Sequence, residues 1–231
     1  AMGLNTNQEI YEYDLKSETL SQLSNDLNIS LGTSVGNDSR LGGGKSFEFN
    51  KEDFYLITTE GYNSYLNKLE NGEVNKIIDK DGTVDMFDIN GENIAYIAFR
   101  GNKLQELYLY KNGEEKQLSD FNKDILKDKM ISTPEHFEVE ASDGEKLDAW
   151  IMKPVGYTKG EKYPTILEIH GGPKGAYGEI FFHEFQILAN EGYAVVYSNP
   201  RGSSGKGNEF ADIRGDYGGR DYEDIMEVMD K

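Results

Sequence analysis

One hairpin figure returns along the first half of the chain, and it limits the fold more than any other feature of the sequence. Ser64-Tyr-Leu-Asn-Lys-Leu69 leads through Glu70-Asn-Gly-Glu73 into Val74-Asn-Lys-Ile-Ile78. Glu106-Leu-Tyr-Leu-Tyr110 leads in the same way through Asn112-Gly113 into Lys116-Gln-Leu118. Asn-Gly tolerates positive φ at both central positions, which is what a two-residue turn between antiparallel strands requires. An earlier pair, Ile10 to Leu15 and Thr19 to Leu23, alternates likewise around Lys16-Ser-Glu18. The segments around Tyr13, Leu66 and Leu109 are equivalent and lie roughly 40–50 residues apart, the length of a four-stranded propeller blade. Phe54 to Thr58, Val84 to Asp88 and Ile94 to Phe99 supply further strands between them. A β-meander or sandwich would also use short strands and Gly-rich turns, but recurrence at blade spacing argues for the propeller. A closed ring needs four or more blades, and about two to three fit before Asp128. Residues 1–128 are therefore expected to form an incomplete β-propeller.

The second half, residues 129–231, changes period. Asn122 to Pro134 has mixed charge and no clear pattern, and reads as a linker. Phe137 to Ala141 and Lys146 to Met152 form a hairpin across Ser142-Asp-Gly144. Pro154 to Tyr163 is a polar connection into Thr165-Ile-Leu-Glu-Ile169, an apolar run expected to be a buried strand. That run stops at His170-Gly171-Gly172-Pro173, where glycines let the backbone turn sharply. A helix is expected from about Gly178 to Glu191, with Phe181, Phe185, Leu188 and Ala189 on one face and Gly192 as its stop. Tyr193 to Tyr197 is nearly all apolar, as in a strand covered on both sides. Strand, helix and strand in this order make a right-handed parallel βαβ unit. The Gly-rich loop Asn199 to Gly207 comes next, then a helix marked by Tyr222, Ile225, Met226 and Met229, with Asp221 and Glu223 suited to its first turn.

Composition narrows the function classes. The 231 residues hold 24 Lys+Arg against 42 Asp+Glu, a formal net charge of −18. Such a surface repels phosphate backbones and anionic lipid, so neither nucleic acid nor a membrane surface is an expected partner. The 12% aromatic content and the recurring apolar runs argue against disorder. With no cysteine there is neither a disulfide framework nor a thiolate metal site. His136, His170 and His183 do not fall at metal-ligand spacing, so no metal and no cofactor are expected. No apolar run approaches membrane-spanning length and no signal peptide is visible. Ala1-Met2-Gly3 reads as a tag scar, and the default localisation is cytoplasmic.

Gly171 and Gly172 admit two readings. They make a tight turn after a strand, or they present backbone N–H groups to charge developing on an attacked carbonyl, as an oxyanion hole does. The neighbouring motifs bear on the choice. His170-Gly-Gly-Pro173, the helix region Phe181 to Gly192, Asn199-Pro-Arg-Gly-Ser-Ser-Gly205 and Arg214-Gly-Asp-Tyr-Gly-Gly-Arg-Asp-Tyr222 together resemble the prolyl oligopeptidase family. The branch looks like its acylaminoacyl-peptidases and dipeptidyl-peptidases. Ser142 to Pro154 also matches the opening of that family's catalytic domain. The resemblance is dense from Phe137 to Asp230 and diffuse over the β-repeat.

The resemblance implies a mixed fold: a partial β-propeller of two to three blades, the C-terminal blades of the ring in residues 1–128, followed by the N-terminal half of an α/β-hydrolase domain in residues 129–231. It implies a serine peptidase that hydrolyses short peptides by acyl-enzyme chemistry. Gly172 would give one oxyanion-hole N–H, Gly171 and His170 would shape the turn, and Arg201 would brace the active-site floor. From the residues alone, Arg201 could equally be a solvated loop cation. Family order places the Gly-x-Ser-x-Gly elbow, the acid and the triad histidine after the last helix, so the triad is not expected in this chain. The chain alone is expected to be an inactive internal fragment. One formal match, Gly32-Thr-Ser-Val-Gly36, lacks the strand-to-helix setting of an elbow and reads as chance. Asp143, Asp216, Asp221 and Asp224 could be offered as acids and His183 as a base, yet nothing in the sequence pairs them. Ser203 and Ser204 have no signalled base either. A non-catalytic β-repeat binding module and an α/β-hydrolase esterase are the alternatives. Open blade and sheet edges would favour self-association.

Overall fold

The computed structural model describes residues 6–42 and 44–231, so the tag-like Ala1-Met2-Gly3 lies outside the described residues. Strands β1 (Tyr11–Asp14) and β2 (Thr19–Gln22) form an antiparallel hairpin with its own two-stranded sheet. After the short β3 (Ser30–Leu31) come β4 (Phe47–Asn50), β5 (Asp53–Glu60), β6 (Asn63–Glu70) and β7 (Glu73–Ile78). Each of these four pairs antiparallel with the next, making one four-stranded leaf. A second leaf repeats the arrangement in β8 (Thr83–Asn90), β9 (Asn93–Phe99), β10 (Glu106–Lys111) and β11 (Glu114–Gln117). Asn71 and Asn112 take φ of 54° and 53° and the glycines after them 84° and 81°, the backbone that a two-residue hairpin turn demands. The leaves share one core, with Ile57 and Leu66 of the first against Val84, Phe87, Tyr96 and Tyr108 of the second. In β9 the residues facing this core alternate, Ile94, Tyr96 and Ala98, as the period of two requires, whereas a register shift between Val84 and Met86 interrupts the alternation in β8.

The stretch read as a linker contains one short helix, α1 (Lys123–Leu126). A four-stranded sheet is then built from β12 (Pro134–Glu140), β13 (Lys146–Met152), β14 (Thr165–Glu168) and β15 (Ala194–Asn199). Their order across the sheet is β12-β13-β15-β14. Strand β13 runs antiparallel to both neighbours, whereas β14 and β15 are parallel and joined through α2 (His183–Asn190), the expected βαβ unit. All six residues of β15 are buried. On one face of the sheet Trp150, Met152, Val195 and Tyr197 pack with Phe185 and Ala189 of α2. On the other, Val139, Leu147, Ala149 and Val196 meet Phe210 of α3 (Gly207–Ala211) and Val228 of α4 (Arg220–Met229). Among the described residues no helix is long and apolar enough to cross a membrane.

Three expectations are corrected. The helix expected from Gly178 starts only at His183, because Ile180 and Phe181 pack against Val35 and Phe99 of the β-repeat half instead. Strand β14 is not buried: Ile166 and Leu167 are half-covered and Ile169 is 56% exposed, because β14 is the edge strand here. On α4 the covered residues are Asp224, Ile225 and Val228, while Tyr222, Met226 and Met229 lie exposed. The buried stripe is rotated from the one the apolar residues suggested.

Besides the side-chain packing around Val35, the leaves and the loops of the four-stranded sheet meet backbone to backbone. Val35 and Ala176 form a parallel β-bridge. Gly61 N donates to Gly205 O at 2.8 Å. A Cβ on Gly205, where φ is +101°, would lie 1.9 Å from Gly61 O, so no side chain fits at this crossing. Asn28 Oδ1 accepts from Asn208 N at 2.6 Å, and Asp38 accepts from the first amides of α2.

Candidate functional site

Two loops leave the carboxyl ends of the parallel pair side by side: residues 170–176 after β14 and residues 200–206 after β15. Gly172 turns the first loop at φ +134°, a region side chains rarely adopt. A Cβ there would sit 3.1 Å from Lys174 N and 3.2 Å from Gly175 N. The Gly172-Pro173 peptide is cis. Gly171 and Gly172 are both exposed, and among the described residues no acceptor takes either amide. Among the described residues, two backbone donors therefore stand open beyond the end of β14.

His170 ties the first loop to the second. Its Nε2 lies 3.0 Å from Ser203 Oγ, and that hydroxyl donates to Pro200 O at 2.6 Å. The other ring nitrogen, Nδ1, lies 3.3 Å from the Gly171 carbonyl, which can only accept. The ring also stands edge-on to Tyr177, with centroids 5.1 Å apart. Burial pushes its pKa below the usual histidine value, and the Gly171 carbonyl and Asn199 side chain oppose that shift without cancelling it. The imidazole beside Ser203 is a neighbour that no signal in the sequence announced. The pair is not a nucleophile and base, because Ser203 is buried and its hydroxyl donates to Pro200 O.

Beyond the glycines the loop is clamped. Asn199 Oδ1 accepts from Tyr177 N at 2.7 Å, and Asn199 Nδ2 donates to Tyr177 O at 2.9 Å. Ser204 N donates to Gly175 O at 2.8 Å. Lys174 turns away from the open amides and donates through Nζ to Asn7 Oδ1 at 2.6 Å. Burial lowers its pKa.

Arg201 is no solvated cation. Its backbone N and Nε donate to Asp224 Oδ2 at 2.9 and 3.0 Å, and its Nη2 to Asp224 Oδ1 at 2.6 Å. Nη1 reaches Asp143 Oδ2 at 2.5 Å. The side chains of Arg201 and Asp224 are 17% and 0% exposed. A fork of this kind joins the loop after β15 to α4 and to the β12–β13 turn. The Arg201 guanidinium holds the Asp143 carboxyl well below the usual carboxylate range. Asp224 first and Asp143 second push the Arg201 pKa up. Arg220 adds a second cation, 3.2 Å from Asp143 and 3.4 Å from Asp224.

The remaining sequence candidates serve the fold. Asp221 Oδ1 accepts from Gly218 N at 2.8 Å and Asp216 Oδ2 from Arg220 N at 3.3 Å, local contacts at the start of α4. His183 is exposed, and its backbone N donates to Asp38. Ser34 sits between β3 and β4 with no helix after it, and its backbone groups pair with Thr59 and Ala176. The sequence reading missed His136 and Asp148, whose Nε2 and Oδ1 lie 2.9 Å apart, with Lys206 Nζ 3.0 Å from Asp148 Oδ2. Tyr62 from the β5–β6 turn packs its ring against His136 and Trp150 at 5.2 Å. A signal existed, because the β12–β13 hairpin puts residues 136, 148 and 150 on one face.

With this geometry in view, the comparisons are specific. A model of the prolyl oligopeptidase family matches residues 179–231. The chain is 37% identical over 228 residues to the uncharacterized peptidase YuxL of Bacillus subtilis (strain 168), covering 95% of this chain and 35% of that protein. Acylaminoacyl peptidase from Pyrococcus horikoshii superposes with a TM-score of 0.80 at 31% identity, covering 98% of this chain and 34% of that one. The chain belongs to the prolyl oligopeptidase family. Another relative, dipeptidyl-peptidase 5 of Trichophyton schoenleinii, is 31% identical over 163 residues, 67% of this chain and 22% of that protein. The resemblance read from the glycine-rich motifs is thus borne out. So is the fold that it implied: propeller blades followed by the opening strands of an α/β-hydrolase sheet. This prolyl oligopeptidase family chain spans about a third of the length of YuxL and of the Pyrococcus enzyme.

Proposed function

We propose that the protein carrying this chain is a serine peptidase that cleaves short peptides through an acyl-enzyme, in the manner of an acylaminoacyl- or dipeptidyl-peptidase. Residues 1–128 would contribute propeller blades and residues 129–231 the first half of the catalytic domain. One observation carries the reading: the amides of Gly171 and Gly172, unpaired among the described residues and held at the carboxyl end of a parallel strand by clamped neighbours. Attack on a peptide carbonyl moves charge onto its oxygen, and a fixed N–H aimed at that oxygen stabilises the tetrahedral state more than the ground state. Gly172 N–H is that donor. A second donor comes from the residue after the nucleophile, which lies outside this chain together with the acid and the triad histidine. His170 keeps the turn in shape and transfers no proton. Arg201 braces the floor of the site through Asp224 and Asp143.

A serine-directed fluorophosphonate tests this directly. It should label the full-length protein and leave the 231-residue chain unlabelled. Gly172→Ala in the full-length protein keeps the N–H but puts a Cβ at φ +134° and 3.1 Å from Lys174 N, and the displaced amide should lower kcat by up to about 10²–10³, the usual cost of losing an oxyanion donor. Stoichiometric labelling of the short chain would overturn the assignment of the nucleophile. An unlabelled full-length protein would return the β-repeat to a binding role, and turnover of esters without peptides would make the protein an esterase.

A further inference from the structure

We infer that residues 32–38 of the propeller half act as a strap that positions the oxyanion loop, so that the propeller helps set the geometry of the catalytic amide. The inference rests on the peptidase reading of Gly172. Its starting point is the Gly32-Thr-Ser-Val-Gly36 segment, which has no elbow geometry and so no place in the triad. The segment instead lies alongside the loop that continues from the glycines. Ala176, four residues beyond Gly172, donates its N–H to Ser34 O at 3.0 Å and accepts from Gly36 N at 2.7 Å. On the other side, Gly175 O takes the Ser204 amide, and Asn199 clamps both backbone groups of Tyr177. Residues 175–177 are thus held from the hydrolase side at two positions and from the propeller side at the one between them.

The strap is itself fixed from the propeller. Thr59 Oγ1, on β5, accepts from Ser34 N at 2.8 Å and donates to Gly32 O at 2.8 Å. Thr33 Oγ1 lies 2.8 Å from Ser64 Oγ on β6. Val35 is fully buried with Phe99, Ile180 and Phe181. At its far end Asp38 accepts from the amides of His183 and Glu184 at 2.8 and 2.7 Å. A packing interface needs only side chains in contact. Here the contact is backbone to backbone, a short distance along the chain from the glycine whose amide direction matters. A shift of about 1 Å in a reacting group can cost about a hundredfold in rate, so slack in the strap would reach the chemistry.

Thr59 touches neither Gly172 nor any substrate position, and it can be altered almost isosterically. In the full-length protein, Thr59→Val removes the hydroxyl that holds residues 32 and 34, and Thr59→Ser keeps it. The measurements are amide hydrogen exchange at Ala176, thermal midpoint, and kcat and KM on a chromogenic acyl-peptide anilide. Thr59→Val should speed Ala176 exchange and lower kcat about tenfold or more, with KM changed by less than about twofold. Thr59→Ser should match the parent. Parent-like kcat in Thr59→Val would overturn the proposal, as would a loss shared by Thr59→Ser or one without faster Ala176 exchange. If Thr59→Val does not fold, Thr33→Val, which cuts the milder tie to Ser64, takes its place with the same outcomes. If the parent neither turns over the anilide nor reacts with fluorophosphonate, the peptidase reading fails. Exchange at Ala176 then decides by itself whether the strap holds the loop.

Discussion

At the scale of single residues, what could be read in advance was what depends on a residue's own backbone. Asn71 and Asn112 take the positive φ that Asn-Gly turns require, and Gly172 takes a conformation that disfavours any side chain. Partners across the fold were not legible. Arg201 meets Asp143 and Asp224 from 58 and 23 positions away, and His170 meets Ser203 from 33 positions away. Nothing in the local sequence encodes those distances. His170 carries a consequence for pH. Its folded-state pKa is lowered by burial, so the unfolded chain binds a proton that the folded chain refuses. Its share of stability is complete above about pH 6.5, the ordinary histidine value, and declines as pH falls from there toward the folded-state pKa. The thermal midpoint of the chain should therefore drop between pH 7 and pH 5, and His170→Gln should flatten that drop. An equal slope in both proteins would show that other groups cause it.

At the scale of elements, periodicity identified the strands and helices, but it could not tell which face each one covers. The βαβ unit was legible in its apolar runs, yet β14 turned out to be an edge strand, and α4 covers Asp224 beside Ile225. Burying Asp224 is offset by its pairing with Arg201, which hydropathy does not register. The start of α2 was misread for a related reason. Phe182 occupies the N-cap position and offers no side-chain acceptor. The acceptor arrives from Asp38, 145 positions earlier in the chain. Because that carboxylate takes two of the helix's first amides, Asp38→Ala should destabilise the chain by about 1 kcal/mol, the usual worth of an N-cap. Asp38→Asn should lose less. Urea unfolding of the three proteins measures both values, and an unchanged midpoint for Asp38→Ala would mean that water replaces the cap without cost.

At the scale of the whole molecule, the two halves differ in architecture and yet share hydrogen bonds at several separate places. Val35 meets Ala176, Gly61 meets Gly205, Asn28 meets Asn208 and Asp38 meets α2. Halves joined in this way should lose structure together. Trp150, the single tryptophan, reports on the four-stranded mixed sheet, whereas far-UV circular dichroism is weighted by the strands of both halves. Urea curves from the two signals should coincide, and two separated midpoints would show halves that fold independently. The crossing of Gly61 and Gly205 has a consequence for protein engineering. Where peptide lies on peptide with no room for a methyl group, the match is set by the path of the main chain and not by side-chain chemistry. A chimaera that pairs this catalytic half with a foreign propeller must therefore reproduce the course of the β5–β6 turn to within a fraction of an ångström, and resurfacing the new partner could not make up for a poor fit there.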